Sequence, residues 1–292
     1  MKKICFVCWL MTMLSWRVAA QQELSPNAFL LEPYRYNSAC SGFETGLHLS
    51  LAYTNLWMGV DNAPQEISLA MHQLVTEKNF SVGGVLSCER SGLTKRMECE
   101  IAGTYRFLVV DDVWLSLNVG GGVRCLGKDF SLLRQDGDPY FERQSDREVV
   151  PRFRMGAWLR LADKSYMAFS VKGVGLGHMN QFGHKQSTHF YWSAEKSFPW
   201  RTRYRWVLSG MVYTAIHSPF AFLMAPSLRS DDRWELGISY QTGGNLTPFA
   251  KFSLKNHFLL ACSYTTCLGK SLGVGTSSSF AVMLAVRVEG RD

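Results

Sequence analysis

Few residues of this chain could do chemistry, and those that could are poorly arranged for it. Gly120-Gly121-Gly122 and the run from Gly173 to Gly177 have the glycine density of a phosphate-cradling loop. Neither leads into the strand-to-helix switch that such a loop needs, so both read as strand glycines or loop flexibility. His178, His184 and His189 carry metal-binding imidazoles, but they are strung through one long loop at spacings of six and five, which fit no rigid ligand set. Beyond a removable leader the cysteines are Cys40, Cys88, Cys99, Cys125, Cys262 and Cys267, with no CxxC or Cys/His zinc pattern among them. Cys88 and Cys99 would face each other across a turn at Leu93 and Thr94, which allows one disulfide in an oxidising compartment. Small apolar residues on a buried or lipid-facing surface are the simpler reading. No GxSxG, HExxH or Walker sequence is present, and no Ser, His and acid trio stands out. The basic run from Arg201 to Arg205 has the charge to meet an acidic partner or lipid phosphates, although a solvated rim explains it more simply. This inventory points to a non-enzymatic protein with no metal and no cofactor.

The elements that carry these residues repeat with period two. Leu47, Leu49, Leu51 and Tyr53 alternate with His48, Ser50, Ala52 and Thr54. The pattern returns at Ile67 to His72, Met97 to Phe107, Leu115 to Arg124 and Arg152 to Leu161. It recurs at Leu236 to Gln241, Phe258 to Tyr264 and Phe280 to Val288, and six weaker segments bring the expected count to fourteen strands. Connections after even-numbered strands are short and hold turn formers; those after odd-numbered strands are mostly longer, notably Leu126 to Val150 and Gly173 to Thr188. Sorting by parity is the mark of an outer-membrane barrel with short periplasmic turns and long outer loops.

One face of each strand is apolar, and the opposite face carries Glu98, Glu100, Arg106, Arg124, Arg152, Arg154 and Arg160. Those charges suit a polar lumen and could not form the dry middle of a double-sheet sandwich. Aromatic residues close the apolar face at both ends, with Trp57, Tyr240 and Tyr264 toward the long loops and Phe107, Trp234 and Phe258 toward the short turns, as interface girdles do. The expected fold is therefore all-β: an antiparallel transmembrane β-barrel of about 14 strands.

Length and composition agree with this. The 292 residues are 47% hydrophobic and 19% charged, which excludes a disordered chain. Outside the first residues no apolar run reaches the roughly 18 to 20 positions of a membrane-crossing helix. Lys2 and Lys3, the apolar stretch Ile4 to Trp16 and the small residues Val18-Ala19-Ala20 form a Sec-type signal peptide over residues 1–20. Residues 21–44 are then expected as a periplasmic amino-terminal segment and 45–292 as the barrel. The net charge of +7 falls to +4 when Lys2, Lys3 and Arg17 leave with the signal; the remaining basic residues are dispersed, and export argues against a nucleic-acid partner.

The stretch from Ser38 to His72 is more specific. Tyr53, Asn55, Trp57 and Gly59 end the first strand, Ala63-Pro64 follows, and the second strand ends in Ala70-x-His72. This resembles the start of the PorP/SprF family of the Bacteroidetes type IX secretion system, in which an Asn-Pro-Ala-Tyr-like segment precedes the first strand; here Asn37-Ser38-Ala39-Cys40 stands in its place. Tyr105 to Phe107, Asp129-Phe130, Asp138 to Phe141 and Trp234 to Gly244 look like further family landmarks. The resemblance implies an outer-membrane accessory of type IX protein secretion, tied to surface attachment of cargo and, in gliding relatives, of adhesins. Its implied partners are outer-membrane lipid, a secreted cargo protein or adhesin, and other secretion components of the envelope. Trp57 would act as an interface anchor, and Ala63-Pro64 would stiffen the first outer loop. The alternative from the residues alone is a passive channel or porin for small solutes, using the Arg-bearing lumen.

Overall fold

The computed structural model describes residues 26–43, 46–75, 79–129, 145–173, 187–216, 218–230, 233–254, 257–268 and 278–288. The expected signal peptide, His178 and His184 lie outside the described residues. Fourteen strands follow in order: β1 (Leu47–Asn55), β2 (Gln65–Val75), β3 (Phe80–Ser91), β4 (Thr94–Val110), β5 (Val113–Asp129), β6 (Ser145–Arg160) and β7 (Tyr166–Lys172), then β8 (His189–Arg201), β9 (Tyr204–Ala215), β10 (Ala221–Ser230), β11 (Trp234–Gln241), β12 (Asn245–Leu254), β13 (Phe258–Cys267) and β14 (Ser279–Val288). Each pairs antiparallel with its sequence neighbours. β1 closes on β14 from Leu47 opposite Val288 to Asn55 opposite Phe280, so the sheet has no free edge.

Side-chain direction follows the alternation. Met97, Cys99, Ile101 and Tyr105 of β4 face outward and are exposed, while Glu98, Glu100, Ala102 and Thr104 are buried inside. Outward residues such as Ile101 and Val119 are 70% and 73% exposed, a degree of apolar exposure that a lipid surround explains and water does not. Connections after even strands span two to five residues. Those after odd strands are less uniform than expected, because β3 turns into β4 through Gly92 and Leu93 alone, and β11 into β12 through residues 242–244.

Several expected boundaries shift. The loop expected from Leu126 to Val150 is shorter, since the β5–β6 ladder continues to Asp129 opposite Ser145. Cys88 and Cys99 do not oppose each other: Cys88 pairs with Met97 and Cys99 with Leu86, a two-residue offset, and none of the six described cysteines is in a disulfide. The ladders also skip at prolines. Pairing of β10 with β11 passes from Met224–Tyr240 to Ser227–Gly237 around Pro226, and pairing of β12 with β13 passes from Leu246–Thr266 to Phe249–Ser263 around Pro248. A proline has no N–H to give a ladder.

The largest departure concerns the amino-terminal segment. Residues 26–43, expected in the periplasm, lie inside the barrel. They form a one-turn helix, α1 (Ala28–Leu31), and two single-turn 3-10 helices, Pro33–Arg35 and Ser38–Cys40. Nearly every residue from Pro26 to Gly42 is buried. The physical reason is volume: inward positions such as Ala52, Ala70, Ala102, Ala225, Ala261 and Ala281 are too small to fill a lumen of this width, and the segment fills it for them.

The outward belt supplies a test. Val119→Arg should destabilise the folded barrel by about 2–4 kcal/mol, whereas Val110→Arg, at the end of β4, should cost only about 0–1 kcal/mol. Urea titration in lipid vesicles, read by the heat-dependent gel mobility of the folded form, measures both. Equal costs would contradict a lipid-facing belt.

Candidate functional site

The barrel wall and the segment it encloses form one continuous site, built around side chains that leave the segment at different heights. Phe29 of α1 sits among Tyr191, Met211, Leu223, Ala225 and Phe249. Leu31 meets Ala52, Ala261, Ala281 and Met283 on the wall formed by β1, β13 and β14. Tyr34 packs on Ala70 and Val85, and Ala39 on Trp158 and Ala168. Burying side chains of the size of Phe29 and Leu31 stabilises the folded state by about 1.5–3 kcal/mol each.

Polar contacts fix the register of the segment along the lumen. At the short-turn mouth Arg106 donates to the Gly42 carbonyl and Arg160 to that of Phe43, and each guanidinium also lies over a ring, Arg106 above Trp114 and Arg160 above Phe43. Higher up, Ser41 donates to Thr104 at 3.1 Å, Asn118 Nδ2 donates to Ser38 at 2.7 Å, and Ser116 donates to the Ala39 carbonyl. The Asn37 amide donates to the carbonyls of Ala157 and Phe169 at 3.0 and 3.1 Å while its oxygen accepts from the Ala39 N–H. Near the long-loop end, Asn27 accepts from Ser239 at 3.0 Å and donates to Thr265 at 3.2 Å, bracing the wall where the proline-broken ladders weaken it.

An ion cluster joins the wall to the segment. Glu98 pairs with Arg124, with Arg152 at 3.1 Å and with Lys172 at 3.6 Å; Glu100 pairs with Arg154 at 2.9 Å and Lys172 at 3.4 Å. Arg154 then donates to the carbonyls of Tyr34 and Arg35, and Arg35 itself pairs with Glu66. Glu100 and Arg154 are each only 3% exposed. Such charges persist away from water only because each has opposite charge and hydrogen bonds within reach. On the far wall Arg229 and Lys251 hold Glu235, and Arg229 also reaches Glu195.

The seven charges read from the alternation thus all point inward. Five of them (Glu98, Glu100, Arg124, Arg152 and Arg154) are buried in or around the cluster, and Arg106 and Arg160 guard the short-turn mouth. The motif residues are placed differently. Tyr53 faces lipid beside Phe280, with ring centroids 5.6 Å apart. Trp57 is half exposed in the first outer connection, with a positive φ of 54° and its N–H on Ser279. Gly59 also has positive φ, Ala63 donates to the Val60 carbonyl, the Pro64 carbonyl accepts from Leu56, and Asn55 ends β1. His72 alone of this set reaches the enclosed segment, stacked between Tyr34 at 4.7 Å and His48 at 4.8 Å. His189 is buried at the start of β8 beside Tyr191. Among the described residues no three His, Cys, Asp or Glu side chains gather to hold a metal.

Sequence reasoning missed the enclosed segment, although two signals pointed to it: the small residues on the inward faces, and inward glycines that leave room for particular atoms. A Cβ on Gly156 would fall 2.5 Å from Asn37 Oδ1, and one on Gly83 would fall 2.5 Å from the Tyr34 hydroxyl.

Two variants separate the wall from its filling. Gly156→Ala should expel Asn37 and expose residues 26–43 to protease while the barrel keeps its folded gel mobility; Gly121→Ala, with its nearest atom at 3.5 Å, should protect the segment as the native chain does. Glu98→Gln removes the carboxylate that Arg124, Arg152 and Lys172 share and should lower stability by about 3–5 kcal/mol in a urea titration. A loss below about 1 kcal/mol, the range of a surface ion pair, would show that the cluster is solvated.

Known proteins place this architecture. The barrel resembles the monoaromatic hydrocarbon channel CymD, with a TM-score of 0.53 and 10% identity over 89% of this chain and 94% of that one. It also resembles the toluene transporter TbuX of Ralstonia pickettii, with a TM-score of 0.50 and 11% identity over 91% and 95%. Omp33 of Acinetobacter baumannii gives 0.50 and 7% over 85% and 100%. At such identities the likeness is one of fold, that of an outer-membrane barrel. No curated protein matches the sequence. The family described as "Type IX secretion system membrane protein PorP/SprF" matches residues 18–286, nearly the whole of the sequence that builds the wall and fills the lumen. The chain belongs to the PorP/SprF family of type IX secretion system membrane proteins.

Proposed function

We propose that this barrel is a closed, non-enzymatic accessory of type IX secretion in the outer membrane, serving export or surface attachment of cargo, including adhesins where the cell glides. One observation carries the choice of a closed accessory over a channel: residues 26–43 occupy the lumen and are held there by hydrogen bonds from strands on every side. A small-solute porin needs a water-filled passage, and an apolar socket filled by Phe29 offers none. CymD and TbuX are described as a hydrocarbon channel and a toluene transporter, which keeps the porin as the second reading.

In the favoured reading residues 1–20 direct export, and lipid, secreted cargo and other secretion components of the envelope are the partners. Recognition falls to the outer connections between β5 and β6 and between β7 and β8, because loops on a rigid scaffold carry binding. Trp57, Gly59, Ala63 and Pro64 shape the first outer connection.

Planar-bilayer recording tests this directly. The full chain should show no steady conductance, and deletion of residues 26–43 should open a persistent pore; a steady open state in the full chain would favour the porin instead. Crosslinking in the native envelope should recover secretion components or a secreted surface protein with the barrel.

A further inference from the structure

The short-turn rim is charged unequally around its circumference. On the side of β4 to β7 its turns hold Asp111, Asp112, Asp163 and Lys164; on the side of β8 to β11 the turns and adjoining strand ends hold Arg201, Arg203, Arg205 and Arg233. The acids of that second stretch, Asp231 and Asp232, lie outside the described residues. The side chains of Arg203, Arg205 and Arg233 are exposed and make no ion pair or hydrogen bond among the described residues. Their neighbours are already engaged: Arg229, opposite Arg205 in the ladder, is held by Glu195 and Glu235, and Lys196 by Asp163.

Adjoining these arginines on the lipid-facing wall is a contiguous group of rings. Trp200 lies 5.9 Å from Trp206 and 6.4 Å from Tyr204, and Tyr204 lies 6.1 Å from Trp234. The Arg201 guanidinium sits 5.1 Å from the centre of the Trp200 ring. Amphipathic rings of this kind settle where the hydrocarbon meets the headgroups, which puts the Arg201 guanidinium at the depth of lipid phosphates, while Arg205, opposite Arg229 in the ladder, stands on the inner lip of the same rim. A guanidinium presents a planar pair of donors that matches two phosphate oxygens and is weakly hydrated, so it gives up water readily at such a boundary.

We propose that this sector of the short-turn rim binds the phosphodiester headgroup of an anionic phospholipid in the inner leaflet. Arg201 and the other arginines of this sector supply the charge, and Trp200, Tyr204, Trp206 and Trp234 hold the acyl chains against the wall below. The continuity of the rings with the lipid-facing belt favours a lipid over an acidic protein, which would have to displace lipid to reach them. Bound there, the lipid sets the rotation and tilt of the barrel, since the described acids of the rim, Asp111, Asp112 and Asp163, lie in the other sector.

The test uses the full chain in nanodiscs of equimolar phosphatidylglycerol and phosphatidylcholine, with native mass spectrometry counting the lipids that stay bound. Phosphatidylglycerol should be retained over phosphatidylcholine by at least about tenfold, as several basic groups at an anionic surface imply. The quadruple variant R201Q/R203Q/R205Q/R233Q should lose that preference, and K164Q on the acidic side should keep it. R203Q alone, at a turn tip without contacts, should lower the preference partway and guards against a folding defect in the quadruple variant, whose gel mobility is checked in parallel. Equal retention of both lipids, an undiminished preference in the quadruple variant, or full competition by soluble glycerophosphate would overturn the proposal. So would an acidic soluble protein binding this rim in the absence of any lipid preference.

Discussion

Closure of the sheet on itself is the constraint from which the rest of this structure follows. Once Leu47 to Asn55 pair with Val288 to Phe280, every strand of the wall has a hydrogen-bonded neighbour on both sides. The cylinder then has a fixed inside and a fixed outside. Its outside is apolar because lipid offers nothing to a polar group. Its inside has a volume set by fourteen strands, and that volume must hold either water or protein. This chain fills it with eighteen residues of its own, from Pro26 to Phe43.

Filling changes what the inward charges mean. In a water-filled lumen Glu98, Glu100, Arg124, Arg152 and Arg154 would be solvated and individually weak. Packed against a protein segment they are buried, so their mutual pairing is a condition of folding. Arg154 shows the coupling most clearly, because one guanidinium answers Glu100 on the wall and two backbone carbonyls on the segment. Asn27 does the same with uncharged groups where the wall is least regular. The enclosed segment is thus as much a part of the core as any strand.

Function divides along the same lines. In the proposed function the interior is committed to holding its segment, which leaves the rims and the outer connections as the surfaces on which other molecules would act. The short-turn rim has aromatic rings and arginines on one sector and described acids on the other, and the strands meet the longer connections at the opposite end. A closed cylinder with differentiated ends suits a protein that works by holding partners in position at a membrane.

The fold was legible in the sequence because period-two alternation is a local property. Leu47 to Tyr53 or Met97 to Phe107 declare two faces without reference to any other residue, and charges on one face exclude a dry sandwich. The strand count and the inward direction of Glu98 through Arg160 follow from that alone, and Ser38 to His72 carry the family resemblance. The exact reach of β5 and β6, the offset between Cys88 and Cys99, and above all the seat of residues 26–43 do not. Phe29, Leu31, Tyr34 and Tyr36 follow no strand period, and their sockets come from strands as distant in sequence as β2 and β14. Alternation determined which side of each strand faces inward; only the assembled cylinder decided what stands there, because the space to be filled exists only after the first strand has met the last.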